Sequence, residues 1–241
     1  MTALERCVSA VVLAAGRGVR MGLERNKVFL DLGGRTVLEH SLAVFAGLPE
    51  VAESVVVLSP EEAEDLDPRL RTRLEALGVT RLVKGGVRRF DSAAAGVAAA
   101  DRAFPLVLLH DGARPFPPPA AVRAALQAAA EQGGAVLAVP VEDTLKRVDE
   151  KEGRIVETVS RRGLYRVQTP QVFRRELYES ALEAARSRGL DPTDDAAVLE
   201  AAGIPVAVVP GDPLNLKITV PGDLELARAI LRSRREKGGA P

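Results

Sequence analysis

Short apolar runs alternate with amphipathic segments through the first half of the chain, and this alternation limits the folds open to it more than any other feature. The first run, residues 8–15, is rich in β-branched residues and ends at a glycine, as buried strands do. Similar runs follow at 54–58, 79–83, 105–110 and 135–139. Segments with helical periodicity separate them, at 36–45, 61–77, 92–100 and 118–131. This order predicts right-handed crossovers and a doubly wound α/β fold with a mostly parallel sheet.

The pattern changes after residue 139. Residues 144–148 and 155–159 flank the polar turn 149–153, which predicts a β-hairpin. A two-stranded insertion with so little apolar surface is marginal by itself and needs a surface to pack against. We therefore expect residues 141–168 to form a protruding arm that packs on a second copy of the chain in a homodimer.

Helical periodicity returns in the last third of the chain. The predicted helices are 175–188, 194–202 with Thr193 as its cap, and 221–234 with proline at its first position. Strand-like segments lie at 206–209 and 216–220. Because linkers and repeats are absent from the sequence, we expect residues 1–241 to form one domain, with 236–241 as a flexible tail.

The composition argues against several classes of protein. The 33 Lys and Arg residues balance the 33 Asp and Glu residues, so the chain has no basic field that would attract nucleic acid in general. The single cysteine, Cys7, cannot form an intramolecular disulfide or a multi-thiolate metal site, and we expect it to be buried in the first strand. The sequence has neither a secretory signal pattern nor an apolar run long enough to cross a membrane, which predicts a cytoplasmic protein.

The loop that follows the first predicted strand is a candidate binding site for an anion. Small residues, among them Ala14, Ala15, Gly16 and Gly18, would let backbone N–H groups approach phosphate oxygens, and Arg20 and Lys27 add positive charge. In a doubly wound sheet, ligands bind beyond the carboxyl ends of the strands, where this loop lies. The loop lacks the third glycine of the dinucleotide fingerprint and the lysine of a Walker A motif. A tight turn with solvated cations is the alternative.

Three further candidate residues lie in or next to predicted strands. Asp111 could hold a divalent ion or a substrate hydroxyl, and Arg114 could reach a phosphate, although an aspartate at a strand end also serves as a turn former. Lys217 has apolar neighbours in the predicted strand 216–220. It is either an edge charge or a cation that points into the same crevice as Arg20 and Lys27.

Five segments, taken together and in order, resemble a known family. They are LAAGRGVRMG (13–22), DGARP (111–115), QTPQ (168–171), TDD (193–195) and NLK (215–217). The family is 2-C-methyl-D-erythritol 4-phosphate cytidylyltransferase, and the resemblance covers essentially the whole chain. It implies a Rossmann-like nucleotidyltransferase fold and the transfer of CMP from CTP to a polyol phosphate, with release of pyrophosphate, in the non-mevalonate route to isoprenoids.

The resemblance also implies roles for individual residues. Arg20 and Lys27 match stabilisers of the transition state on the triphosphate. Arg161 and Lys217 match the pair that positions the methylerythritol phosphate, with Arg161 of the partner subunit reaching the site from the arm. The residues that match those around the base and ribose of CTP are Ala14, Ala15, Gly16, Gly85, Gly86 and Ser92, and Gly18 lies in the same loop. The residues that match those around the polyol and its phosphate are Asp111, Arg114 and Thr144. The chain departs from the family pattern at Asn26 and Val28, where relatives often carry Pro and Gln, and at Ser160, where an acidic residue is common.

This chemistry is consistent with the residues present. A phosphate monoester has a second pKa of about 6, so the attacking oxygen is already mostly ionised at neutral pH and needs no general base. The obstacle is repulsion between CTP, at roughly −4, and the attacking phosphate, at roughly −2. One Mg²⁺ and five cationic side chains together supply about +7, which is enough to offset this repulsion. The side chains are Arg20, Lys27, Arg114, Arg161 and Lys217. Since the sequence offers no dedicated metal cage, we expect Mg²⁺ to be held mainly by the substrate phosphates.

Three other functions remain open at this stage. The nearest is a cytidylyltransferase for ribitol 5-phosphate or another polyol phosphate. A nicotinamide-dependent oxidoreductase on a similar sheet is less consistent with the incomplete glycine fingerprint. A sugar-nucleotide sensor without catalytic activity would bind CTP but release no pyrophosphate.

Overall fold

A computed structural model describes residues 5–16 and 26–236 of the chain. The strands are β1 (Val8–Leu13), β2 (Val51–Leu58), β3 (Val79–Lys84), β4 (Leu106–Asp111), β5 (Gly134–Pro140), β6 (Leu145–Asp149), β7 (Arg154–Val159), β8 (Tyr165–Arg174) and β9 (Ala207–Pro210). The α-helices are α1 (Val37–Ala46), α2 (Pro60–Glu64), α3 (Pro68–Ala76), α4 (Arg89–Ala99), α5 (Pro119–Gln132), α6 (Arg175–Ser187), α7 (Asp195–Ala201) and α8 (Pro221–Glu236). A 3₁₀ turn, Lys27–Phe29, precedes α1.

Seven strands form the central sheet in the order β3-β2-β1-β4-β8-β5-β9. Neighbouring strands are parallel except at β8, which is antiparallel to both β4 and β5. Alternate residues of β1 contribute to two apolar cores: Val8, Ala10 and Val12 pack with α1, α3 and α5, whereas Val11 packs with α4, α6 and α7. The predicted doubly wound, mostly parallel α/β fold is therefore confirmed.

Helix α4 packs very close to the sheet, and this places its amino-terminal end at the carboxyl edge of the strands. A Cβ atom at Gly96 would lie 2.4 Å from a methyl carbon of Val11 and 2.7 Å from one of Val57. Glycine is therefore required for the close approach of α4 to β1 and β2. The carboxyl ends of β1, β2 and β4 are held side by side, since the Ala14 N–H donates to Val57 O and the Gly112 N–H donates to Leu13 O.

Several predictions of individual elements were wrong. Residues 216–220 form no strand; the Ile218 N–H donates to Ala113 O in a loop, so this segment packs as irregular chain beside β4. The predicted helix 61–77 is two helices, because Pro68 cannot continue a helix and starts α3 after the cap residue Asp67. Strand β8 was missed altogether.

Two smaller expectations also need correction. The cap of α7 is Asp194 instead of Thr193, because the Asp194 carboxylate accepts the N–H of Ala197. Cys7 lies one residue before β1 and is half-buried.

Among the residues that the structure describes, strands β6 and β7 pair only with each other, in an antiparallel hairpin outside the central sheet. Most of its side chains are exposed, including Ile155 and Val156 at 64% and 62%. The hairpin predicted from 144–148 and 155–159 is therefore confirmed. The last residues of the predicted arm 141–168 belong to the central sheet instead, since β8 pairs with β5 from Tyr165 onward. The predicted tail 236–241 lies outside the described residues apart from Glu236. Within the described ranges, every helix is too short or too polar to span a bilayer.

Candidate functional site

A cavity of about 380 Å³ opens at the carboxyl edge of the sheet, where β1, β3 and β4 end. Doubly wound folds bind ligands at this edge, because the loops that leave neighbouring parallel strands meet there. One wall is the exit of β1, a second is the turn before α4, and the end of β4 forms the floor. The 3₁₀ turn and the loop before α8 complete the site.

The structure brings most of the sequence-predicted site residues to this cavity. Those that line it are Ala14, Ala15, Gly16, Lys27, Gly86, Ser92, Asp111 and Lys217. Arg114 lies beside it, with its guanidinium Nε 3.7 Å from the Asp111 carboxylate. Arg20 and Gly18 lie outside the described residues. Thr144 and Arg161 are exposed near the hairpin and do not line the cavity of a single chain.

Gly85 and Gly86 allow the turn before α4 to approach the exit of β1. A Cβ at Gly85 would lie 2.8 Å from both Ala15 Cβ and Ser92 Oγ, and a Cβ at Gly86 would lie 2.4 Å from Asp91 Cβ. The Ser92 hydroxyl accepts the Gly86 N–H at 3.1 Å and ties the turn to the first turn of α4. The glycines therefore produce a close fit between two walls of the cavity, which side chains would separate.

Asp111 forms the acidic centre of a cluster of cations. Its carboxylate lies 2.8 Å from Lys217 Nζ, 3.5 Å from Arg89 Nε and 3.7 Å from Arg114 Nε. Burial alone would raise the pKa of Asp111, but Lys217, Arg89 and Arg114 outweigh it and hold this pKa well below its ordinary value. Asp111 is therefore ionised at neutral pH, and it holds the Lys217 ammonium at the cavity.

Arg89 is a site residue that sequence reasoning missed. Its guanidinium bridges Asp111 on the cavity floor and Asp195 of α7, with a distance of 2.7 Å from Nη2 to Asp195 Oδ2. Burial opposes the charge of Arg89, but the two carboxylates raise its pKa above the ordinary value. Its position in the sequence could have indicated this role, because Arg89 follows Gly85 and Gly86 closely and begins a helix at the carboxyl edge of the sheet.

A second layer of polar residues holds the floor of the cavity in place. The Thr169 hydroxyl accepts the N–H of Asp111 at 3.0 Å and lies 3.1 Å from His110 Nδ1. The Asn215 amide donates to Thr169 O and to Gln168 Oε1, while Arg114 Nη1 donates to Asn215 O. The segments 168–171 and 215–217 therefore act largely by supporting Asp111, Arg114 and Lys217 from behind.

Neither histidine of the chain lines the cavity. His110 is fully buried, and this burial lowers its pKa to about 4, so that the ring is neutral at pH 7. His40 is buried elsewhere, with Nε2 2.6 Å from Leu32 O. Neither His40 nor His110 is therefore among the described side chains that could contact a ligand in this cavity.

Among the residues that the structure describes, no three His, Cys, Asp or Glu side chains are grouped as metal ligands. The carboxylate at the cavity, Asp111, is already surrounded by three cationic side chains. A divalent ion at this cavity would therefore need most of its oxygen ligands from phosphates and water, as Mg²⁺ commonly has.

Comparisons with known proteins agree in one description. A profile of the 2-C-methyl-D-erythritol 4-phosphate cytidylyltransferase family matches residues 8–233. The protein of that name from Pelotomaculum thermopropionicum is 41% identical over 236 residues, which covers 96% of this chain and 99% of the relative. A bifunctional enzyme IspD/IspF from Anaeromyxobacter sp. is 44% identical over 230 residues, covering 94% of this chain and 58% of the relative.

Solved structures show the same similarity. The crystal structure of 2-C-methyl-D-erythritol 4-phosphate cytidylyltransferase from Thermus thermophilus has a TM-score of 0.78 at 40% identity, covering 93% of this chain and 98% of that one. That of 4-diphosphocytidyl-2C-methyl-D-erythritol synthase from Anaerococcus prevotii has a TM-score of 0.79 at 29% identity, covering 94% and 99%.

Proposed function

This chain belongs to the 2-C-methyl-D-erythritol 4-phosphate cytidylyltransferase family, and we propose on this basis that it transfers CMP from CTP to 2-C-methyl-D-erythritol 4-phosphate in isoprenoid precursor biosynthesis. It is a nucleotidyltransferase, and pyrophosphate is the second product. The observation that carries the proposal is one cavity in which Lys27, Lys217 and the turns around Gly16 and Gly86 meet. Converging cations are what a triphosphate and a second phosphate require, and closely packed backbone turns beside them leave room for the rest of a nucleotide.

The reaction is an in-line displacement at the α-phosphorus of CTP. A phosphate oxygen of the acceptor forms the new P–O bond, and the bond to the β-phosphate oxygen breaks, so that pyrophosphate leaves with the electron pair. The acceptor phosphate, with a pKa of about 6, is mostly dianionic at pH 7 and has no proton to give up. Rate enhancement then comes from positioning and from cations placed where charge accumulates.

We assign some of the site residues to the binding of CTP and others to the binding of the acceptor. Lys27 faces the triphosphate, and we assign Arg20 the same role from the family resemblance alone, since it lies outside the described residues. Residues 14–16 together with Gly85, Gly86 and Ser92 surround the base and ribose. Lys217 and Arg114 attract the acceptor phosphate, and Asp111 holds Lys217 while its free lone pairs accept from a substrate hydroxyl. Arg89 steadies Asp111 from the opposite side.

Mg²⁺ is the metal we propose, held mainly by the phosphate oxygens of CTP and by water. When bound, it withdraws charge from the triphosphate and favours departure of pyrophosphate. Among the described residues that line the cavity, Asp111 is the carboxylate that could contribute an oxygen to such an ion.

We also propose that the enzyme is a homodimer through the 141–168 arm, in a chain that is otherwise a single domain. Exposed apolar side chains on the hairpin, together with Arg161 and Thr144 at its base, support this proposal because neither of these two residues reaches the cavity of its own chain. Arg161 of the partner subunit and Thr144 of the partner subunit would then complete the acceptor site. The cytoplasmic location stays a prediction.

The direct test measures pyrophosphate release with CTP, Mg²⁺ and one acceptor at a time. We expect turnover with 2-C-methyl-D-erythritol 4-phosphate, much slower turnover with ribitol 5-phosphate, and none without an acceptor. Turnover with ribitol 5-phosphate alone would contradict the assignment in favour of the other polyol. CTP binding without pyrophosphate release in any mixture would contradict catalysis itself.

A further inference from the structure

Asn26, the residue before Lys27, has a buried side-chain amide whose hydrogen-bonding groups are all engaged. It is 5% exposed. Its Nδ2 donates to Ala14 O at 2.7 Å and to Glu62 Oε2 at 3.1 Å, and its Oδ1 accepts the N–H of Val28 at 3.3 Å. An asparagine NH₂ group has two hydrogens, so both donors are used.

These bonds join three parts of the molecule at one point. Ala14 is the first residue after β1 and lines the cavity, and Glu62 belongs to α2, which follows β2. Val28 lies in the 3₁₀ turn that carries Lys27. The amide of Asn26 therefore connects the Lys27 turn directly to a wall of the cavity and to the next helix along the edge of the sheet.

The same turn is held from its other side by apolar packing. Val28 and Phe29 are 3% and 9% exposed in the core beneath α1, and the Phe29 N–H donates to Asn26 O at 3.0 Å. Packing alone leaves the turn free to tilt about these two side chains, since apolar contact is not directional. The directional bonds of Asn26 remove that freedom, and with it the freedom of the Lys27 backbone to move relative to Ala14.

We propose that Asn26 is a positioning residue for Lys27, which it holds in register with the cavity through Ala14 and Glu62. This inference rests on the proposed function, because it acts on a transition state that Lys27 stabilises. A displacement of about 1 Å in a catalytic group can cost on the order of 10²-fold in rate. The bonds of Asn26 therefore matter for turnover beyond their effect on folding.

The test variant is Asn26→Asp, which keeps the shape of the side chain and its acceptor for Val28. It removes both donors and places an ionised oxygen against Ala14 O and the Glu62 carboxylate. We expect kcat to fall by roughly tenfold, while the KM for the acceptor phosphate changes by less than about twofold.

The decisive comparison repeats the substitution in a Lys27→Ala background. If Asn26 acts through Lys27, then Asn26→Asp costs less than about twofold in kcat once Lys27 is gone, because the effects of interacting residues are not additive.

Ser9→Ala is the matched control for a general loss of stability in the fold. Ser9 is also buried and hydrogen-bonded, to Glu53 and Arg175, but it lies at the opposite end of β1. Its substitution should lower the melting temperature and leave kcat within about twofold.

Equal losses from Asn26→Asp with and without Lys27 would overturn the inference, as would wild-type kcat in Asn26→Asp. Undiminished turnover in Lys27→Ala alone would overturn the proposed role of Lys27 as well, so the two failures are distinguishable. Should Asn26→Asp fail to fold, Asn26→Ser replaces it in the cycle, since a hydroxyl still accepts from Val28 and donates one bond.

Discussion

Lys27 combines near-complete burial with a position on a cavity wall. The residue is 9% exposed, and its turn is fixed by Val28, Phe29 and Asn26. A long, flexible ammonium side chain loses less entropy on binding phosphate when its base is already fixed. This preorganisation is what an electrostatic mechanism of phosphoryl transfer requires.

Lys27→Ala should therefore lower kcat by at least about 10²-fold, the loss typical of removing one preorganised charge from a transition state. Steady-state pyrophosphate release measures it. Lys84→Ala is a suitable control, since Lys84 is exposed, pairs with Glu64 and does not line the cavity. Near-normal turnover in Lys27→Ala would contradict a role for the Lys27 charge in stabilising the transition state.

The depressed pKa of Asp111 makes a prediction about stability. A carboxylate whose pKa is lower in the folded than in the unfolded state stabilises the fold above the unfolded pKa, about 3.9, and this contribution is lost as pH falls through and below that value. The free-energy difference between wild type and Asp111→Asn should therefore be about 1 kcal/mol smaller at pH 3 than at pH 7. Urea unfolding at the two pH values measures it, and a difference independent of pH would refute the ion cluster.

The sequence allowed Lys27, Asp111 and Lys217 to be predicted at one cavity, because Asp111 ends an apolar run and the two lysines interrupt apolar or small-residue segments. The strand predicted around Lys217 was wrong, and that residue reaches the cavity from a loop. Arg89 could not be recognised in this way. Two arginines before a helix have the pattern of a solvated surface, and only the nonlocal approach of Asp111 and Asp195 shows that one of them is at the site.

Among the elements, β8 shows where pattern reading fails. Its sequence contains glutamines, a threonine and a proline, and it is buried over 168–173 because β4 and β5 cover it from both sides. Such a strand has no local signal, since its partners are about 25 to 70 residues away in sequence. By contrast, β1 and β4 were predictable because continuous apolar runs need burial on both faces.

Helix α7 provides a test of the corrected cap. Asp194→Ala should lower the free energy of unfolding by about 1 kcal/mol, because it removes the acceptor for the Ala197 N–H and a partner of Gln171. Thr193→Ala should change it by only a few tenths of that amount. Equal effects of the two substitutions in urea unfolding would contradict Asp194 as the cap.

The hairpin gives the matching prediction for assembly. Ile155 and Val148 face each other across β6 and β7 and are 64% and 46% exposed, so an aspartate at 155 should place a charge in the dimer interface that we propose. Ile155→Asp should convert the dimer to a monomer in sedimentation velocity. Leu226→Asp, at a 53% exposed position on α8, should leave it a dimer. An unchanged mass for Ile155→Asp would contradict the role of this arm.

Across the whole molecule, the two large apolar cores lie on the faces of the sheet, and the candidate site lies at one edge. The apolar cores on either side of the sheet hold the strands in register, and the loops at their carboxyl ends bring together residues as distant in sequence as Ala14 and Lys217. Although the chain has no net charge, Arg89 and Lys217 lie together at this edge, on either side of Asp111. The fold class was predictable from the alternation of apolar runs and helical periodicity. Which residues meet at the cavity depends on the order of the strands in the sheet, and the sequence pattern does not give that order.

A crystal structure of the protein with CTP and Mg²⁺ tests whether this cavity is where nucleotide transfer takes place. We expect the triphosphate within hydrogen-bonding distance of Lys27 Nζ, with the cytidine between 14–16 and Ser92, and the Lys217 ammonium facing the side from which the acceptor enters. CTP bound elsewhere, with its phosphates remote from both Lys27 and Lys217, would contradict the assignment of the site.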